Sequence, residues 1–188
     1  RGGMYKFQQR SSGEKRYYRF VEPEDDNYPW MLELFSRKPE AFPLVPGSHL
    51  TPIPVDEDID SLSAILLNED YYHFLHSGRK MIQGVSLVGP EHLIPLKARA
   101  WLDLTERKAK GEQVDSKSIA KHKNDIFRLY RVIDPGQVLD VPAAIRDDIT
   151  AFFNAIADEP VDLKSLGISS TDSSRVIVEL RRFYSRVA

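Results

Sequence analysis

Two short runs of this chain place ionisable side chains on faces that are otherwise apolar. In LIPLKARAWLDL, residues 93–104, Leu93, Lys97, Ala100, Trp101 and Leu104 recur at helical spacing, which sets Lys97 inside the stripe. In SIAKHKNDIFRLYRVI, residues 118–133, the stripe is Ile119, Ile126, Leu129, Tyr130 and Ile133, with His122 within it and Asp125 at its margin. Lys121 and Asp125 stand four apart, one turn above each other. A lysine ammonium held at a cleft needs an anion, and a triphosphate suits it. Otherwise the ammonium snorkels to water along its own methylenes. Asp125 could orient a lysine or act as a general base while Lys121 meets a phosphate. The plain alternative is a surface ion pair worth about 0.3 kcal/mol.

A second candidate is Glu33, the single charge in the apolar run Trp30–Phe35. It is read either as a carboxylate held on a sheet to bind metal or as a residue of an edge strand or solvated face. Gly47-Ser48 followed by Asp56-Glu57-Asp58 superficially matches a nucleotidyltransferase signature of Gly-Ser and Asp-x-Asp. That signature needs a helix N-terminus between the two to meet phosphate, and Pro52 and Pro54 stand where the helix should be, so the match is read as a decoy. His73 and His76 share one helical turn, a spacing a metal can use, but no third ligand is evident. His49 and His92 carry no inference.

The elements that must hold these residues fall into two parts. Residues 4–36 read as three strands: Tyr5 and Phe7 alternate with polar neighbours, Lys15–Val21 is rich in aromatics, and Trp30–Phe35 has the near-continuous apolar character of a central strand. Lys38–Asp60 carries prolines at 39, 43, 46, 52 and 54 and is expected to be irregular. Ser61–Leu67 reads as a strand, Asp70–His76 as a short helix, and Lys80–Val88 as another strand. Beyond Gly89-Pro90 the pattern turns helical. The first long helix opens near Glu91 to Pro95 and ends near Gly111, and the second is capped by Asp115 or Ser116 and stops at Asp134-Pro135-Gly136. A third helix opens at Pro142 with Ile145, Ile149, Phe152, Phe153 and Ile156 aligned; a fourth spans Asp172–Val187 with Val176, Leu180, Phe183 and Val187 aligned. Strands followed by helices predict an α+β fold: a mostly antiparallel or mixed sheet lobe over residues 1–90, then a helical lobe over residues 91–188. No internal repeat is visible.

The totals bound what the chain can be. Its 188 residues can bury a substantial core, and a net charge of −2 argues against a globally basic nucleic-acid binder. That balance hides an asymmetry, because Pro95–Arg131 holds ten Lys/Arg against five acids, about +5 locally. Such a face suits a phosphate-bearing partner, although a solvated helix face is its commoner meaning. Cysteine is absent, which removes disulfides and thiolate metal sites and fits a reducing, cytoplasmic setting. No run approaches the roughly 18 apolar residues of a membrane span, and no signal peptide is visible.

Leu93, Lys97 and Ala100 match a Leu-x-x-x-Lys-x-x-Ala motif, and Lys121-His122-Lys123-Asn124-Asp125-Ile126 approximates Lys-Asp-x-x-Asp-[Ile/Leu]. On these two motifs the chain resembles the AbiEii-type nucleotidyltransferases, toxins of bacterial abortive-infection toxin–antitoxin systems, whose core is the polymerase-β-like nucleotidyltransferase fold. His122 stands in place of the motif's first Asp. The segment WMLELFSR, residues 30–37, is similar to the strand carrying the third carboxylate of that fold, which would be Glu33. The resemblance implies transfer of a nucleotide from an NTP, with Mg²⁺, to an RNA (tRNA among the candidates) or a protein, and a possible cognate antitoxin. Within it Glu33 would serve the metal or base catalysis, Lys97 and Lys121 would grip phosphates, and Asp125 would orient or activate. The family's Gly-Ser helix and Asp-x-Asp strand have no counterpart in these residues and are expected before Arg1, so that these 188 residues alone should not catalyse. The alternative is a non-catalytic module on the same scaffold that binds RNA or a protein through the basic 95–131 face.

Overall fold

A computed structural model of the chain describes residues 4–9, 13, 15–37, 50–53, 62–157, 159, 161–169 and 171–187. The chain forms two compact units, Arg1–Tyr72 and His73–Ala188, and both strands and helices are present, as the α+β reading requires. Among the described residues no helix is long and apolar enough to cross a membrane.

In the first unit, β1 (Lys6–Gln9), β2 (Lys15–Val21) and β3 (Met31–Glu33) make an antiparallel sheet in the order β1-β2-β3. Its aromatic content does the packing: Phe7 meets Tyr17 at 5.4 Å and Phe20 at 5.1 Å between ring centroids. The register is irregular between Phe7 and Gln8, passing from Phe7↔Phe20 to Gln8↔Arg16. The second sheet, in the order β4-β6-β5, joins β4 (Phe35–Arg37) parallel to β6 (Leu62–Leu67) and β5 (Leu50–Ile53) antiparallel to it.

Two expectations need correction here. The apolar run Trp30–Phe35 is not one central strand; it breaks at Leu34 into β3 and β4, edge strands of different sheets, and Trp30 is 67% exposed. An apolar run shows that a strand is favoured, but it carries no information about how many partners the strand finds. The proline-rich stretch is not wholly irregular either, since β5 includes Pro52. The edge position explains this, because a proline there need not donate to a neighbour. Gly47-Ser48 and Asp56-Glu57-Asp58 lie outside the described residues.

The helix α1 (Glu69–Ser77) is capped by Asn68, whose side-chain oxygen accepts from the Tyr71 amide at 2.9 Å. In the second unit, what reads as one strand over Lys80–Val88 is a hairpin of β7 (Arg79–Ile82) and β8 (Val85–Val88). Its two-residue turn places Gln83 at φ 50° and Gly84 at φ 79°. Both angles belong to a type I′ turn, whose twist matches that of the paired strands. Four helices follow: α2 (Pro90–Ala109), α3 (Ser116–Tyr130), α4 (Ala143–Ala155) and α5 (Ser173–Phe183). Between them β9 (Asp140–Val141) pairs in parallel with β10 (Arg186–Val187).

The core of this unit is built on α4, where Ile145, Ile149, Phe152, Phe153 and Ile156 are all buried, as the periodicity predicts. Val176, Leu180 and Phe183 bury the face of α5, but the helix ends at Phe183 and Val187 lies exposed in β10. Helix α2 packs against both α3 and α4. Its buried line is Ile94, Ala98 and Trp101, one residue round from the predicted stripe, and Leu93, Lys97, Ala100 and Leu104 form a half-buried flank. Trp101 meets Phe152 edge-on at 5.2 Å. In α3 the fully buried residues are Ile126 and Phe127, and Phe127 is absent from the predicted stripe.

Pro95 sits inside α2 and has no amide hydrogen to give the Glu91 carbonyl one turn back. The Tyr184 hydroxyl supplies the missing donor at 2.7 Å. The α2 end is closed by Gly111 at φ 86°: its amide donates to Lys108 and the Glu112 amide to Arg107, the paired bonds of a Schellman motif.

Candidate functional site

Lys97 and Asp125 meet. Their helices lie side by side, and the Lys97 ammonium is 3.1 Å from the Asp125 carboxylate. Both side chains are partly covered, at 28% and 19% exposure, which places the pair at the edge of the α2–α3 seam rather than within the core. Lys97 therefore belongs to the flank of the buried face and reaches across to α3 instead of lying inside an apolar stripe.

Asp125 also accepts from Arg128 at 3.1 Å, so one carboxylate draws in two cations. Lys121 is exposed one turn earlier on α3, and among the described residues no ion pair joins it to Asp125. His122 is half-buried on the same helix. Lys123 binds Glu159 at 2.5 Å, which anchors α3 to the segment beyond α4.

Most of the basic excess of the 95–131 region is matched by acids close by. Arg99 pairs with Asp148, Arg107 with Asp103 and Glu112, and Lys110 with Glu106. Lys117, Lys121 and Arg131 on or just beyond α3 have no ion-pair partner among the described residues. Lys117 and Lys121 lie on its exposed side, and the only acid within that helix is Asp125. Of the net +5 over residues 95–131, α3 holds +3, four cations against Asp125.

Glu33 belongs to the first unit. It ends β3, opposite Arg19 on β2, and Arg19 Nε donates to its Oε1 at 2.6 Å while a guanidinium nitrogen closes a salt bridge to the same oxygen. Arg19 also reaches Gln8 on β1 at 2.8 Å, so Gln8, Arg19 and Glu33 form a polar row across three strands. A cation already holds this carboxylate, and among the described residues no group of three or more His, Asp or Glu could hold a metal ion. The residues described do not by themselves fit a Mg²⁺ site. His73 and His76 are both exposed on α1.

Sequence reasoning passed over a further constellation at the end of α3 and the start of α5. The Tyr130 hydroxyl donates to Glu179, which also accepts from Arg175 Nε at 2.9 Å. Burial and the Glu179 hydrogen bond push the Tyr130 phenol up to about 12. The bonds from Tyr130 and Arg175 hold the Glu179 carboxyl below its ordinary range, against the smaller effect of burial. The Arg175/Glu179 spacing was legible as i,i+4, but the approach of Tyr130 depends on how α3 meets α5.

No protein-family model, curated protein or solved structure matches this chain.

Proposed function

We propose that the helical unit is the phosphate-gripping part of an AbiEii-like nucleotidyltransferase, with Lys97 and Lys121 directed to the phosphates of an NTP and Asp125 holding Lys97 in position. The observation that carries this reading is the 3.1 Å contact between Lys97 and Asp125, which joins the two helices bearing the motifs. An ammonium shared with one carboxylate keeps two of its three hydrogens for another acceptor, and a triphosphate oxygen is a stronger attractor than water at a partly covered seam. Arg128 would remain on Asp125 when Lys97 turned to the phosphate, so the carboxylate would not be left unpaired. The acceptor of the nucleotide would be an RNA, with tRNA the first candidate, or a protein, including any cognate antitoxin.

The test uses protein expressed from its whole reading frame, incubated with Mg²⁺, labelled ATP, GTP, CTP or UTP and a tRNA pool. A labelled product that falls at least tenfold in Lys97→Ala and in Asp125→Asn is the expected result. No product with any nucleotide, or undiminished labelling in Lys97→Ala, overturns it.

A second reading is favoured by the exposed basic row of α3: a non-catalytic module that binds RNA through Lys117 and Lys121. It requires binding that is indifferent to Mg²⁺ and weakens steeply with salt.

A further inference from the structure

The second unit contains a groove of about 520 Å³ between the end of α3, residues 167–169 and 171, and the start of α5. Its volume lies within the ordinary range for small-molecule sites. Its lining includes the apolar Ile133, Pro135 and Ile168 and two guanidinium groups, Arg131 and Arg175, with the single carboxylate of Glu179.

Those guanidiniums retain donors for a ligand. Arg131 gives one long hydrogen bond, Nη1 to the Leu166 carbonyl at 3.5 Å, and forms no ion pair among the described residues. Arg175 uses Nε for Glu179, which leaves its two terminal nitrogens. Glu179 is engaged at both oxygens, Oε2 by Tyr130 and Oε1 by Arg175, and none of its bonds goes to Arg131. Gly167 leaves room for the Arg131 fork: at φ 76° it adopts a conformation that suits glycine, and a Cβ there would come within 2.9 Å of Arg131 Nη1. Thr171 also lines the groove, and its hydroxyl is buried without a hydrogen-bond partner among the described residues. Two planar forks in a groove that also has apolar lining match an oxyanion attached to a flat, weakly polar body.

We propose that this groove is a binding site for a small oxyanion-bearing molecule, a phosphate monoester or a carboxylate, whose charged end is held by Arg131 and Arg175 and whose body covers Ile133, Pro135 and Ile168. The site is separate from the Lys97–Asp125 pair and does not depend on the nucleotidyltransferase reading.

Calorimetric titration with AMP, inorganic phosphate and benzoate tests it, with amide chemical shifts reporting the place of binding. One molecule of AMP or benzoate is expected to bind per chain, moving the Gly167 and Ile168 signals. Inorganic phosphate, which has no body to cover the apolar lining, should bind at least tenfold more weakly than AMP. AMP tighter than benzoate assigns a phosphate ligand, and the reverse order assigns a carboxylate. Arg131→Ala should weaken binding at least tenfold, and so should Gly167→Ala, which displaces the fork without removing it; Lys97→Ala should leave it unchanged. Absence of saturable binding by all three probes at millimolar concentration, or affinity that survives Arg131→Ala, overturns the proposal.

Discussion

The Tyr184 hydroxyl does a job that Pro95 creates. A proline within a helix leaves a carbonyl one turn back without its amide, and a buried unbonded carbonyl costs about 1–3 kcal/mol. Tyr184 is 1% exposed and donates to that carbonyl on Glu91, and burial raises its phenol well above the ordinary value. Tyr184→Phe is therefore expected to lower unfolding stability by about 1–3 kcal/mol in urea melts. In a Pro95→Ala background the helix amide can serve the carbonyl itself, so the same change should cost less; equal costs in the two backgrounds would refute the account. His92 offers a second case. It is 8% exposed and stacks on Phe74 with ring centroids 4.5 Å apart. Burial lowers its pKa, Glu91 opposes that and Lys80 adds to it. Glu91 itself is pushed up by burial, but the hydrogen bond and charge of Lys80 outweigh this and its carboxyl ends below the usual range. As pH falls below about 6.5 the unfolded chain takes up the histidine proton before the folded one does. Stability should therefore decline through that window, with this residue contributing a slope of at most about 1.4 kcal/mol per pH unit. Urea midpoints measured from pH 7.5 to pH 5 should show a flatter decline in His92→Phe; an unchanged slope would rule His92 out as the source.

At the scale of elements, local signals were faithful wherever the chain's own backbone could answer them. Asp115 caps α3 by accepting from the Lys117 amide at 2.9 Å, Asp172 caps α5 through Arg175 at 2.8 Å, and Gly111 closes α2. Asp115→Ala should cost about 1 kcal/mol in thermal or urea unfolding, and Asp115→Asn much less, because asparagine keeps the accepting oxygen. If the two substitutions cost the same, the cap is not what Asp115 contributes. Signals failed where neighbours decided. Trp30–Phe35 splits because β3 finds β2 and β4 finds β6, and the hairpin over 79–88 needed a turn at Gln83-Gly84 that lacks the Asn-Gly or Asp-Gly signature. The stripe of α2 was displaced by one residue because this helix buries two sides, against α3 and against α4. A single-face template cannot describe that.

For the whole molecule the decisive quantity is where charge remains after the fold has paired it. The chain is close to neutral, yet Lys117 and Lys121 stand exposed on α3 without an ion-pair partner among the described residues. If the basic row engages RNA, Lys117→Ala and Lys121→Ala should each lower the slope of log affinity against log salt by about 1 and weaken different sequences alike. An unaltered slope in filter binding across a salt series would remove α3 from the interface.

The sequence by itself determined the α+β class, the cap of α3, the closing glycine of α2 and the core face of α4. Each of these follows from periodicity or capping chemistry, which act over a few residues. Only the tertiary structure decided that Asp125 takes Lys97 and Arg128 rather than Lys121, that Arg19 holds Glu33, and that Tyr184 serves a carbonyl freed by Pro95. The same is true of the Arg131–Arg175 groove, whose walls come from segments about forty residues apart. A side chain's partner is fixed by which surfaces meet, and burial and charge select that meeting over the chain as a whole.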